Sequence, residues 1–257
     1  MITFYKYQGA GNDFVMIDNR QHIVSKTNAK LISFLCDRRF GVGADGVILL
    51  ENSEISDFKM IYFNADGNEG SMCGNGGRCI VAFAEFLNVI SNTATFEAVD
   101  GLHHATIIDD VVSLQMNDVS DIKRNDNHVF LNTGSPHHVQ YELNISDFDI
   151  KTIGRKIRNE IYGKAGSNIN FVKKVNDSTF KMRTYERGVE DETLACGTGA
   201  TAVAIAMYAL NDTKENKITL QVEGGELNVS FIEKEGVYTD VFLTGKAQYV
   251  FKGEIKC

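Results

Sequence analysis

Two short segments carry residue types able to move a proton: Cys73-Gly74-Asn75-Gly76 and Cys196-Gly197-Thr198-Gly199. They align without gaps at an offset of 123 residues (196 − 73), and each leads into a run that is apolar nearly all round, about Gly76–Val89 and Gly199–Leu210. A cysteine at the mouth of a helix stands in the partial positive charge of unsatisfied N–H groups and the helix dipole, which favours its thiolate. Free thiols ionise near pKa ~8.5, so a modest stabilisation makes the thiolate available at neutral pH. The glycines add a second property. With no side chains in the way, the backbone amides of Gly74, Asn75, Gly197 and Thr198 can close on an anion such as a carboxylate.

Two such segments opposed across a cleft would form a symmetrical acid/base device. One thiolate removes a proton from a tetrahedral carbon, and the opposite thiol delivers one to the other face. The stereocentre is inverted. A carboxylate on that carbon would develop enolate-like charge where positive potential already lies, so no electron-sink cofactor is required. A single cysteine before a helix reads as a small buried hydrophobe, and Cys36, Cys79 and Cys257 are assigned that role. The matched pair reverses the reading for Cys73 and Cys196. Five scattered cysteines do not make a disulfide framework. The absence of a CxxC pair, or of a cysteine partnered with a nearby histidine, leaves no zinc-site spacing.

The elements that must position these residues are mostly strands. Short apolar or β-branched runs bounded by Gly, Asn and Asp fall at Ile2–Tyr7, Phe14–Ile17, Val47–Leu50 and Phe58–Phe63 in the first half. The second half repeats the habit at Val129–Asn132, His138–Glu142, Ile169–Val175, Thr179–Tyr185, Lys217–Val222, Glu226–Phe231, Tyr238–Leu243 and Ala247–Phe251. Asn28–Cys36 and Ile150–Asn159 have the apolar spacing of amphipathic helices. The two helices behind the cysteines have no polar face and are expected to be wrapped by sheet. The expected fold is α+β: two similar domains, each a curved, mostly antiparallel sheet or barrel around a central helix. Apolar periodicity lapses near Asn117–Arg124, which sets the domains at 1–117 and 118–246.

Bulk properties narrow the partners. A net charge of −8 argues against a nucleic-acid surface, and no run of 18 apolar residues suggests a membrane span. The start, MITFYKYQGAGND, lacks the regions of a secretory signal, so a cytoplasmic protein acting on a small molecule is expected.

The blocks are also recognisable together. Asn64-Ala65-Asp66-Gly67-Asn68-Glu69-Gly70-Ser71-Met72-Cys73-Gly74-Asn75-Gly76-Gly77-Arg78 resembles the signature around the first catalytic cysteine of the diaminopimelate epimerase family. Tyr185-Glu186-Arg187-Gly188 with Thr193-Leu194-Ala195-Cys196-Gly197-Thr198-Gly199 resembles the second. Gly9–Phe14, Arg39–Gly46, Ser135-Pro136-His137 and Ser167-Asn168-Ile169-Asn170 match in the same order. The resemblance implies an enzyme without cofactor or metal, with Cys73 and Cys196 as acid and base. It implies that Gly74, Asn75, Gly197 and Thr198 hold the reacting carboxylate. Asn12, Asn64, Asn168, Glu186 and a buried Arg187 would grip the distal amino-carboxylate, and His137 and Glu186 would tune the thiols. It further implies that the strand within 247–257 returns to the first domain, and a homodimer. Three positions depart from the family pattern: Asn68 where Ser is usual, Ser135 where Asn is usual, and Gly46 where some members carry Gln.

Other readings stay open on the residues alone. A proline racemase or hydroxyproline epimerase would share the two cysteines, but typically has His where Asn75 stands. A non-catalytic amino-acid binding protein would need only the amides. Gly9–Gly11 and Gly41–Gly46 are not a GxGxxG or GxxxxGK[ST] loop, so nucleotide binding is set aside.

Overall fold

The computed structural model describes residues 1–256, leaving Cys257 outside the described residues. The chain divides into two compact units: Met1–Leu114 together with the residues from Gly245 onward, and Gln115–Thr244. No helix among the described residues is long and apolar enough to cross a membrane.

The first unit contains β1 (Ile2–Gly9), β2 (Asn12–Asp18), α1 (Ala29–Cys36), β3 (Gly46–Glu51), β4 (Phe58–Asn64), α2 (Gly74–Phe86), β5 (Thr93–Ala98), β6 (Gly101–Ile108) and β7 (Val111–Gln115). The second contains β8 (Ile122–Arg124), β9 (Val129–Asn132), β10 (Pro136–Tyr141), α3 (Ile150–Tyr162), β11 (Asn168–Lys174), β12 (Thr179–Glu186), β13 (Asp191–Thr193), α4 (Gly197–Ala209), β14 (Lys217–Val222), β15 (Gly225–Lys234) and β16 (Val237–Lys246). The last strand, β17 (Gln248–Ile255), pairs with β1 in the first unit.

The two units repeat one topology. In the first, the order β17-β1-β2-β3-β4-β5-β6-β7 is antiparallel throughout except for the parallel pairs β2–β3 and β4–β5. In the second, the order β8-β9-β10-β11-β12-β14-β15-β16 is antiparallel except for β10–β11 and β12–β14. Parallel neighbours need a crossover, and in each unit a helix supplies it: α1 and α2 in one, α3 and α4 in the other. This is the sheet-dominated α+β fold expected from the sequence.

Each central helix forces its sheet to curve. α2 touches β17, β1, β2, β3, β4 and β6, although six inter-strand steps of about 4.8 Å span roughly 29 Å and a helix is only about 10 Å across. Only a sheet bent around the helix reaches it from all those strands. α4 touches β9, β10, β11, β12, β14 and β15 in the same way. Every residue from Gly74 to Ala84 is buried, and α4 is buried apart from Thr198 and Tyr208. The opposite face of the first sheet carries α1, where Val15, Ile17, Val47, Leu49, Ile61 and Phe63 pack with Ile32 and Leu35. Cover on both faces explains why β3 is apolar at successive positions instead of alternating.

Both central helices begin two residues earlier than apolar periodicity indicates, at Gly74 and Gly197, so that the cysteines are themselves the N-caps. Glycine is a poor helix former, but here close packing requires it. A Cβ at Gly76 would lie 2.9 Å from Ile48, and one at Gly77 would lie 2.4 Å from Met72.

Candidate active site

In the first unit, Cys73 caps α2 with extended backbone (φ −111°, ψ 117°), and its carbonyl accepts from Gly77 N at 2.7 Å. Its Sγ lies 3.6 Å from Asn12 Oδ1, which also accepts from Asn75 Nδ2 at 3.3 Å. A hairpin aims Asn12: Ala10 and Gly11 both take positive φ between the paired Gly9 and Asn12, the backbone of a two-residue turn. The amide of Asn12 is then fixed from behind, because its Nδ2 donates to Asp45 Oδ2 at 2.7 Å. Arg38 bridges Asp45 and Asp13, with three bonds of 2.7–3.0 Å. Lys6 pairs with Asp13 at 2.6 Å and donates to the Gly43 carbonyl. Burial pushes the Asp13 carboxyl up, but the bonds and charges of Arg38 and Lys6 outweigh it and hold the group at about 2.

Asn64 ends β4 and is exposed; its backbone joins the turn through Asn68 O and Gly67 N. Asn68 is itself a turn residue, both of its N–H groups bonding Asp66. Gly46 has a local cause. A Cβ there would meet the Phe63 carbonyl and the Tyr62 ring at 2.5 Å, so this chain has no room for a larger residue.

In the second unit, Cys196 caps α4 with nearly the same backbone (φ −125°, ψ 112°), and its carbonyl accepts from Ala200 N at 2.9 Å. Its Sγ stands 3.5 Å from Thr198 Oγ1, which lies 3.0 Å from His137 Nε2. The direction of this chain follows from Asn170. The Asn170 Nδ2 donates to the His138 carbonyl at 2.9 Å and its Oδ1 accepts from Thr184 Oγ1 at 3.0 Å, which fixes the amide. The same Nδ2 faces His137 Nδ1 at 3.1 Å, so Nδ1 accepts and the ring proton sits on Nε2, directed at Thr198. Burial, aided by the Arg187 charge, holds His137 neutral by lowering its pKa to about 3.

The remaining expected residues of this unit form a second group. Asn168 pairs with His137 across β10–β11, and its Oδ1 accepts from Arg187 N at 2.8 Å. Glu186 Oε2 accepts from Thr193 Oγ1 at 3.0 Å. Arg187 differs from expectation. It is exposed rather than buried, because it lies just past the end of β12, where its Nη1 bonds the Ala165 carbonyl at 3.1 Å. An exposed guanidinium remains able to take a carboxylate through its fork.

Arg38, Asp45, Arg78 and Asn170 were not singled out by sequence reasoning. Asn170 leaves one faint signal: asparagine is depleted in strands, yet Asn168 and Asn170 both occupy the buried part of β11. Of the cysteines assigned to packing, Cys36 and Cys79 are buried thiols, desolvation pushing both up to about 12; Cys257 lies outside the described residues. Among the described residues, no group of three or more His, Cys, Asp or Glu is placed to hold a metal ion.

Solved structures share this architecture. A PhzF-family phenazine biosynthesis protein from Bacillus anthracis superposes with a TM-score of 0.75 at 14% identity, over 100% of this chain and 99% of that one. A hydroxyproline epimerase from Agrobacterium vitis, with bound trans-4-hydroxy-L-proline, gives 0.71 at 15% identity, over 98% and 91%. At such identities the likeness is one of fold alone. Sequence relatives say more. A diaminopimelate epimerase from Flavobacterium psychrophilum is 61% identical over 256 residues, covering 99% of this chain and all of the relative. One from Chlorobaculum tepidum is 41% identical over 257 residues, covering 96% and 98%. The family model described as diaminopimelate epimerase matches residues 4–121 and 129–250. The chain belongs to the diaminopimelate epimerase family.

Proposed function

We propose that this chain interconverts LL- and meso-2,6-diaminopimelate, with Cys73 and Cys196 exchanging the proton of one α-carbon. The observation that carries the reading is the cysteine N-cap repeated in both units, each on a buried helix of 13 residues. One sulfur, as thiolate, takes the α-proton, and the other, as thiol, gives one to the opposite face. Charge developing on the α-carboxylate is received by the amides of Gly74, Asn75, Gly197 and Thr198, where the helix dipoles already favour it. That field replaces an electron-sink cofactor. Asn12, Asn64, Asn168, Glu186 and Arg187 take the distal ammonium and carboxylate. His137 acts on Cys196 through Thr198.

The same reading makes the protein a cytoplasmic homodimer in lysine and peptidoglycan-precursor synthesis. Exposed apolar side chains support self-association: Phe86 and Tyr249, stacked with ring centroids 5.8 Å apart, are 52% and 47% exposed. Exchange of the α-proton in deuterated water tests the function. Diaminopimelate is expected to exchange and proline is not. Exchange of proline would favour a racemase of the same fold, and no exchange with either would reduce the protein to a binder.

A further inference from the structure

Among the described residues, Arg78 is the largest fully buried side chain. Its Nη1 donates to the Gly74 carbonyl at 3.1 Å and its Nη2 to Asn75 Oδ1 at 2.9 Å, while Nε has no partner. Among the described residues no carboxylate pairs with it; Asp13 and Asp45, the acids that flank Asn12, are engaged by Lys6 and Arg38. A buried charge without a counter-ion is costly, and a guanidinium does not escape by losing its proton. Such a group is expected where an anion arrives in the course of function.

The second repeat shows what position 78 requires structurally. At the same offset of 123 stands Thr201, whose Oγ1 donates to the Gly197 carbonyl at 3.1 Å, the counterpart of the bond from Arg78 to Gly74. A neutral hydroxyl therefore suffices to satisfy the first-turn carbonyl. The positive charge is surplus to that task. Gly9 completes the fit, since a Cβ there would come within 3.3 Å of Arg78 Nη2.

We infer that Arg78 is a positioning residue for the proposed reaction: a fixed positive charge behind the N-terminus of α2, whose counter-ion is the anion received there. That anion is the Cys73 thiolate or the carboxylate of the reacting amino acid. Arg78 acts through Gly74 and Asn75, holding the Asn75 amide so that Nδ2 faces Asn12. The titratable groups that act on Arg78 are Cys79 and Cys73, and from β1 Tyr7 stands near Cys79, its hydroxyl pushed up by burial. The inference rests on the reading of Cys73 as an acid/base residue.

The test is the pH dependence of iodoacetamide alkylation, followed by mass spectrometry at the Cys73 and Cys196 peptides separately. Arg78→Met removes the charge at similar length. It is expected to raise the Cys73 midpoint by about one pH unit, a tenfold loss of thiolate at fixed pH, and to leave Cys196 unmoved. Arg78→Lys is expected to keep most of the Cys73 midpoint. The thermal midpoint of Arg78→Met should hold or rise, since an unpaired buried charge has gone; a merely structural arginine would lower it. An unmoved Cys73 midpoint, an equal shift at both cysteines, or a lowered thermal midpoint would overturn the inference. If Arg78→Met does not fold, Arg78→Thr, copying the second repeat, replaces it; failure of both to fold makes Arg78 structural and ends the proposal. Alkylation needs no turnover, so a wild-type protein inactive on diaminopimelate would defeat the proposed function while leaving this result readable.

Discussion

Two neighbouring histidines should make the second unit labile to mild acid. His137 and His138 are buried, and desolvation lowers them from 6.5 to about 3 and about 4 respectively. The native state thus refuses protons that the unfolded chain accepts. Their contribution to stability is complete above pH 6.5 and is lost as the pH falls from 6.5 towards the folded values. At pH 5 the unfolded residues are about 1.5 units below their midpoint, so at 1.36 kcal/mol per unit each histidine costs about 2 kcal/mol, or about 4 for the pair. The slope approaches about 2.7 kcal/mol per pH unit near pH 5. His138 is the separable member: its ring bonds Tyr162 Oη and Gln140 Oε1 and stacks on His128 at 4.1 Å, away from the cysteine. His128, also lowered by burial, adds in the same direction. The assay is urea unfolding between pH 8 and pH 5, followed by circular dichroism because the chain has no tryptophan. His138→Gln should roughly halve the slope. Equal stability at pH 7.5 and pH 5 would refute the claim that these rings are held neutral.

Other outcomes follow from the same geometry. Cys73→Ala and Cys196→Ala should each abolish epimerisation in both directions, since each direction uses both sulfurs; near-normal turnover in either rejects the two-base scheme. Gly199→Ala would set a Cβ 2.6 Å from Asn170 Oδ1, displacing the residue that fixes the His137 tautomer. Turnover is expected to fall at least tenfold, while stability drops by only about 1–3 kcal/mol for the overpacking. Gly46→Ala should cost a similar ~1–3 kcal/mol in urea unfolding, and trimming Tyr62 should not restore it, because the Phe63 carbonyl is equally close at 2.5 Å. Thr198→Val should raise the alkylation midpoint of Cys196 and not of Cys73, with Thr198→Ser restoring it; no shift in the valine variant removes Thr198 as the donor to that sulfur.

The strands that carry large apolar residues could be read directly. Val129–Asn132 and Lys217–Val222 coincide with β9 and β14. The hairpin strands β5 and β6 could not, because Ala94, His103 and Ala105 stand among their buried positions beside Phe96 and Ile107 and weaken the alternation on which such readings depend. β8 and β13 are three residues each, too short to leave a pattern. The repeated topology is hidden for a related reason: strands of the two units share pairing directions but few residues, and only the helix openings keep the same letters. At the site, the N-cap cysteines and their glycines declare themselves by local chemistry. Asn170 and the Asp45–Arg38 pair do not, since their partners His137, Asn12 and Asp13 lie 25 to 33 residues away; Arg78 bonds within its own helical turn, and its burial without a counter-ion leaves no mark in the letters. Arg187, buried in the reading from resemblance, is exposed because it lies just past the end of β12.

The two helix openings keep one backbone and diverge in the side chains behind it. Asn75 and Thr198 stand at equivalent offsets, as do Arg78 and Thr201. On α2 the support is ionic: Arg78 holds Asn75, which faces an Asn12 amide pinned by Asp45. On α4 the support is neutral: Asn170 sets the His137 tautomer, and His137 donates towards Thr198 beside the sulfur. A reversible inversion needs each sulfur to serve in turn as base and as acid. A difference of n pKa units between them would bias the resting proton by 10 to the power n and leave one of the two working protonation forms scarce. A fixed charge near one thiol is therefore useful only if the other receives comparable help. In the proposed reaction that help falls to the His137–Thr198 chain, which needs no second buried cation whose desolvation the unit would have to bear.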